Sequence, residues 1–130
     1  MADTTAATTF ADKAETFQAA LMSLFSGDPD STETDLSKLF TPTFTFRADE
    51  DKMDFLAFVA HIRRLREILP SVTLTTTQFL RDGAQLAERH SSSTTRPDGS
   101  VGKAETFLFA QVAADGRLEW IVETVARKKD

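Results

Sequence analysis

Two histidines, His61 and His90, are the only side chains in this sequence whose ordinary pKa lies near neutrality. Proton transfer near pH 7 therefore falls to them, or to a carboxylate displaced from its usual range. Cysteine and tyrosine are absent. That removes thiolate nucleophiles, Cys-bound zinc, iron–sulfur clusters, disulfides and phenolic acids. Two histidines are too few for a three-histidine metal site. The acidic run Asp49, Glu50, Asp51 and Asp54 reads as a solvated turn with helix capping, a cation site being the minor alternative. Ser91-Ser92-Ser93 lacks a nucleophile elbow. Gly99 to Lys103 (GSVGK) resembles the end of a phosphate loop, but Pro97 replaces the first glycine and Ala104 replaces Ser or Thr. With no Rossmann glycine pattern either, no cofactor and no metal are expected.

The elements that must position these groups follow from periodicity. The chain has 130 residues, 41% hydrophobic and 27% charged, which suits one globular domain. Its net charge of -5 argues against nucleic acid and against anionic membrane surfaces. No apolar run approaches the roughly 18 residues of a membrane span, and Met1 to Thr9 lack signal-peptide character, so the expected location is cytoplasmic. Residues 1–9 read as a loose tail, 10–127 as one domain and 128–130 as a charged tail.

Phe10, Ala14, Phe17, Leu21, Leu24 and Phe25 lay one stripe along a helix, with Thr9 as cap and Gly27 as terminator. A short helix follows, capped by Thr34 and stopped by Pro42. Thr43 to Arg47 alternates as a strand. Met53 to Leu69 is the clearest helix, capped by Asp51 or Asp54 and ended by Pro70. His61 sits in it three residues after Phe58 and four before Leu65, either packed or reaching a pocket mouth as general acid or base. Beyond Pro70 the period becomes two. Strands run from Val72 to Arg81, Gln85 to Thr95, Lys103 to Ala113 and Leu118 to Arg127, joined by Asp82-Gly83, by Arg96 to Gly102 and by Ala114 to Arg117. This order predicts an α+β domain with helices packed on one face of an antiparallel sheet.

Both sheet faces carry apolar residues. Thr106, Leu108 and Ala110 point one way, Phe107 and Phe109 the other; Leu118, Trp120 and Val122 alternate with Glu119, Ile121 and Glu123. Helices cover one face. A second copy of the sheet would cover Phe107, Phe109 and Trp120, which predicts a homodimer through the outer face. The alternative is a sheet that curls to bury both faces within one chain.

The stretches LFTPTFTFRADE, DFLAFVAHIRRLREILP, RDGAQLAERH and ADGRLEWIVETV, in this order, resemble the SnoaL-like polyketide cyclases. These belong to the nuclear-transport-factor-2-like (NTF2-like) superfamily, with the limonene-epoxide hydrolases and scytalone dehydratases. The likeness runs from about Phe10 to Arg127. It implies a cone-shaped curved sheet wrapped around helices, a mostly apolar pocket, and commonly a homodimer.

The same resemblance implies a site. Arg89 falls where the hydrolases place a buried arginine, Ser91 where they place a carboxylate, and Glu123 where another acid stands seven residues past the turn glycine, Gly116. If Arg89, Ser91 and Glu123 face the cone, then Phe46, Phe58, Val72, Leu74, Thr76, Gln78, Thr106, Leu108 and Ile121 wall it. Glu123 would remove a proton, and Arg89 would hold that carboxylate or a developing oxyanion. Such a pair makes a base only where desolvation outweighs the arginine's pull. His90, next to Arg89, faces the dimer contact; a one-residue slip in register exchanges the two. Ser91 in place of an acid disfavours epoxide hydrolysis. The implied activity is a small cofactor-independent lyase or isomerase (a cyclase) of secondary metabolism, acting on an apolar polyketide- or terpenoid-like molecule. A non-catalytic binding or dimerisation module, and a dehydratase resembling scytalone dehydratase, are the alternatives. The missing tyrosine weakens the last. An enzyme should place Glu123 or a histidine at a cavity of roughly 300 Å³ or more.

Overall fold

The computed structural model describes residues 6–128; Met1 to Thr5 of the expected tail, and Lys129 and Asp130, lie outside them. Helix α1 spans Ala14–Ser23 and buries Phe17 and Leu21. The single helix expected from Phe10 is split. Phe10–Asp12 form one 3-10 turn, and Lys13 is extended (φ -138, ψ 151). Carbonyls in that turn are taken by side chains instead of helical N–H groups: Phe10 accepts from the Thr16 hydroxyl at 2.7 Å and Ala11 from Arg81 Nη1 at 2.9 Å. The Thr9 side chain makes no cap bond. Instead of hanging loose, Thr8 donates its N–H to the Asp115 carbonyl at 2.8 Å. Gly116 (φ +92) lies so near that any Cβ would collide with the Thr8 carbonyl oxygen.

Past α1, Arg66 ties the chain down. Its guanidinium donates to the carbonyls of Ser23, Leu24 and Asp28 and to Asp35 Oδ2, at 2.8 to 3.1 Å. Helix α2 (Thr32–Ser37) begins two residues before Thr34, because Pro29–Ser31 already form a 3-10 turn and Thr32 bonds back to the Pro29 carbonyl. Strand β1 (Phe40–Ala48) contains Pro42, tolerated where its pairing with β6 is irregular. The acidic segment turns at Asp49 (φ 55) and then forms a short strand, β2 (Asp51–Asp54). Asp54 caps α3 (Phe55–Ile68), its Oδ1 accepting from the Ala57 N–H at 2.8 Å.

Strands β3 (Ser71–Asp82), β4 (Gln85–Thr95), β5 (Val101–Val112) and β6 (Leu118–Arg127) follow as antiparallel hairpins. The sheet order is β2-β1-β6-β5-β4-β3, and β1 joins β6 in parallel, so the sheet is mixed. It curves around the helices without closing, as the expected α+β cone does. The core lies between α1, α3 and the concave face, where Phe40, Phe44 and Phe58 interlock at centroid distances of 4.4 to 5.4 Å. In β3 the pairing with β4 skips Thr77, a bulge that reverses which residues point inward. Among the described residues no helix is long and apolar enough to cross a membrane.

Candidate active site

A cavity of about 230 Å³ opens between the end of α1, one side of α3 and the concave face of β3 to β6. Phe46, Phe58, His61, Leu74, Thr106, Leu108, Ile121 and Glu123 line it, as does Val72. The rings of Phe46 and Phe58 meet at 4.8 Å on one wall. Exposed His61 stands at the rim. The helical wall is hydrocarbon: Leu21, Leu24, Phe25, Ile62, Leu65 and Leu69.

Four expected site residues lie elsewhere: Arg89, Ser91 and Gln78 on the outer face, and Thr76, which points inward but is not in the cavity wall. On β4, His90 sits opposite Thr106 of β5, and Arg89 sits opposite Phe107. Because Thr106 faces inward, His90 does too, and Arg89 and Ser91 point out. The register is the slipped one, and the two neighbours exchange places. Arg89 donates from Nε and Nη2 to Glu105 Oε2 at 2.9 and 2.6 Å and from Nη1 to Gln78 Oε1 at 3.2 Å. It also lies over Phe107, 5.4 Å from the ring centroid. Gln78 is turned outward by the bulge at Thr77, although Thr76 points in. His90 is thereby removed from the outer-face contact and becomes a buried pocket residue.

The inward register assembles a group that the sequence reading missed. Glu88 is fully enclosed and bonded at both oxygens: Oε1 to His90 Nδ1 at 2.7 Å, Oε2 to the Thr76 hydroxyl at 2.8 Å. Thr76 is anchored in turn by its N–H, which donates to Gln18 Oε1 of α1 at 2.7 Å. A signal for this existed. Leu86, the one large apolar residue of β4, shares its parity with Glu88 and His90.

Glu123 borders the same cavity from β6. Burial pushes its carboxyl up to about 7, with Glu88 and Asp49 adding to the rise and His90 and Arg127 opposing it. Desolvation therefore prevails, and no arginine sits on the carboxylate. No hydrogen bond or ion pair occupies its side chain among the described residues. The pocket thus holds two proton-carrying groups: Glu123, and an imidazole fixed at Nδ1 by a buried carboxylate. Among the described residues no group of three or more His, Asp or Glu is placed to hold a metal ion, and Asp54 is spent on its cap.

No protein-family model and no curated protein matches this chain. Solved structures do. An NTF2-like protein of unknown function from Exiguobacterium sp. 255-15 superposes with a TM-score of 0.66 at 17% identity, over 86% of this chain and 98% of that one. A candidate isomerase of the SnoaL-like family from Agrobacterium tumefaciens str. C58 gives 0.64 at 14%, over 86% and 96%. A candidate SnoaL-like polyketide cyclase from Jannaschia sp. CCS1 gives 0.62 at 12%, over 82% and 83%. At such identities the likeness shows the fold: this chain has the NTF2-like cone shared by SnoaL-like proteins.

Proposed function

We propose that this protein is a small lyase or isomerase that moves a proton on a largely apolar, carbonyl-bearing molecule, polyketide- or terpenoid-like in kind, with no cofactor. The observation that carries the reading is the Glu123 carboxyl, raised to about 7 in an apolar cavity that also holds His90 backed by Glu88. With Nδ1 bonded to Glu88, the ring has Nε2 left for substrate. One proton shared between His90 and Glu123 makes one of them the acid and the other the base. The base takes the proton from the carbon next to the carbonyl; the acid protonates the carbonyl oxygen as the enol forms. Return of the proton to a different carbon, with the enol O–H giving its proton back to the acid, completes an isomerisation; loss of a neighbouring hydroxyl as water, protonated by the former base while the enol O–H returns its proton to the acid, completes an elimination. His61 at the rim exchanges protons with solvent. The fold likeness to SnoaL-like proteins supports this by analogy. The small cavity, below the roughly 300–1,000 Å³ of drug-sized sites, favours a compact ligand and is the one feature that favours the binding-module alternative.

The test is α-hydrogen exchange of small cyclic ketones and enones in D2O, followed by NMR. The native protein is expected to accelerate exchange at least 100-fold over Glu123→Gln. Equal rates for the two proteins would remove Glu123 from the chemistry, and no acceleration by either would leave a binding module.

We also propose that a second copy of the chain covers the outer sheet face. Leu80, Phe109, Phe107 and Val122 are 71%, 61%, 43% and 39% exposed there, beside Trp120. The Arg89–Glu105 pair next to them offers each copy both charges. Sedimentation should find a dimer at micromolar concentration that Phe109→Asp converts to monomer; a monomeric native protein refutes this.

A further inference from the structure

The cavity is polar along one edge only. His90, Ser92 and Thr94 share the inward parity of β4 and all border it, with Thr106 opposite His90 on β5. Successive inward residues of a strand stand about 7 Å apart. The facing wall from α1 and α3 offers only hydrocarbon and the rim histidine. Among the described residues no hydrogen bond engages the hydroxyls of Ser92, Thr94 or Thr106. Among the described residues no lysine or arginine borders the cavity, whereas Glu123 does and Glu88 lies directly behind His90.

From this we infer that the substrate is an uncharged molecule oxygenated along one edge and hydrocarbon along the other. Its reacting carbonyl lies at His90 and Glu123, and a second oxygen about 7 Å away bonds to Ser92. The inference rests on the reading of this cavity as the reaction site, and names Ser92 and Thr94 as specificity-determining residues outside the proton transfer. An anionic group meets the Glu123 carboxyl at the cavity wall, with a second carboxyl, Glu88, behind His90, and no lysine or arginine among the described lining residues. A hydrocarbon in place of the second oxygen leaves the strand hydroxyls without partners.

Three probes separate the possibilities: 4-hydroxycyclohexanone, its near-isostere 4-methylcyclohexanone and the larger, charged 4-oxocyclohexanecarboxylate, each titrated into the native protein and followed by NMR. At pH 8 the carboxylate is expected to bind at least tenfold more weakly than the hydroxyketone, a gap that narrows in Glu123→Gln. Ser92→Ala, alone and with Thr94→Val, should reduce the hydroxyketone-to-methylketone affinity ratio roughly three- to tenfold, while affinity for the methylketone is kept. Retained methylketone affinity also shows that the variants are folded. A carboxylate that binds as well as the neutral probes, an affinity ratio unmoved by the Ser92 and Thr94 variants, or no binding of any probe each overturns the inference. Exchange of α-hydrogens in the methylketone reads the proton-transfer proposal separately, so either can fail while the other stands.

Discussion

Two carboxyl-containing pairs stand back to back across β4. Inside, Glu88 and His90 have side chains 0% and 9% exposed. Outside, Arg89 and Glu105 are 41% and 28% exposed and close at 2.6 Å. The outer pair has the shorter contact, the stronger formal charges and a bidentate donor, and it is the one that solvent screens. The inner pair has an unremarkable length and a weak base, and it is enclosed, with both Glu88 oxygens held by His90 and Thr76. Contact length and charge are thus poor guides to where chemistry sits. Enclosure decides, because a proton relay works only where water does not level the acid and the base.

The largest expected contrast is kinetic. His90→Ala should slow ketone α-exchange at least 100-fold, whereas Arg89→Ala, one residue away, should change it less than about threefold; side-by-side NMR exchange rates check this. The opposite ranking would mean that the working face of β4 is the outer one. Next comes Glu88→Ala, which strands the Thr76 hydroxyl and His90 Nδ1 and should cost about 2–3 kcal/mol in urea unfolding.

A pH experiment probes the third carboxyl. Glu123 titrates at about 7 when folded, above its ordinary 4.5, so the native state binds the extra proton between those values. The stability that this carboxyl contributes is full below 4.5 and is lost as pH rises through about 7. Glu123→Gln should lack that loss, gaining about 3 kcal/mol on the native protein between pH 4.5 and 8. Parallel denaturation curves at both pH values would refute the raised carboxyl. The smallest effect is assigned to the outer pair: Arg89→Ala should cost under about 1 kcal/mol, and less in high salt.

The hairpins β3 to β6 were legible in the sequence because their turns are chemically explicit. Asp82-Gly83 and the segment around Gly116 mark the ends of β3 to β6 to within a residue or two. Alternation on β5 and β6 likewise assigned Leu108, Ile121 and Glu123 to one face. What alternation within a strand lacks is the phase of one strand against the next. Resemblance alone points Arg89 inward, whereas the β4–β5 register puts His90 there instead. A buried glutamate runs against ordinary burial preferences, so Glu88 gave no compositional sign; only Leu86 at the same parity did. Strand β2 was hidden because four residues of mostly charged composition look like a turn, and the split of the first helix depends on Arg81, seventy residues away from Ala11.

The skipped residue in β3 has a consequence for how this fold tolerates change. Val72, Leu74 and Thr76 face inward before Thr77, and Phe79 packs inward on Phe17 after it. Deleting Thr77 would keep every other side chain in the hairpin. Plain alternation would then carry Thr76 inward, Gln78 outward and Phe79 inward on the same β4 partners, the facing that the bulge already gives. Natural variants of this chain should therefore accept many substitutions at Thr77, and its loss as well. At that one point of the strand, which way the side chains face outlasts a change in length.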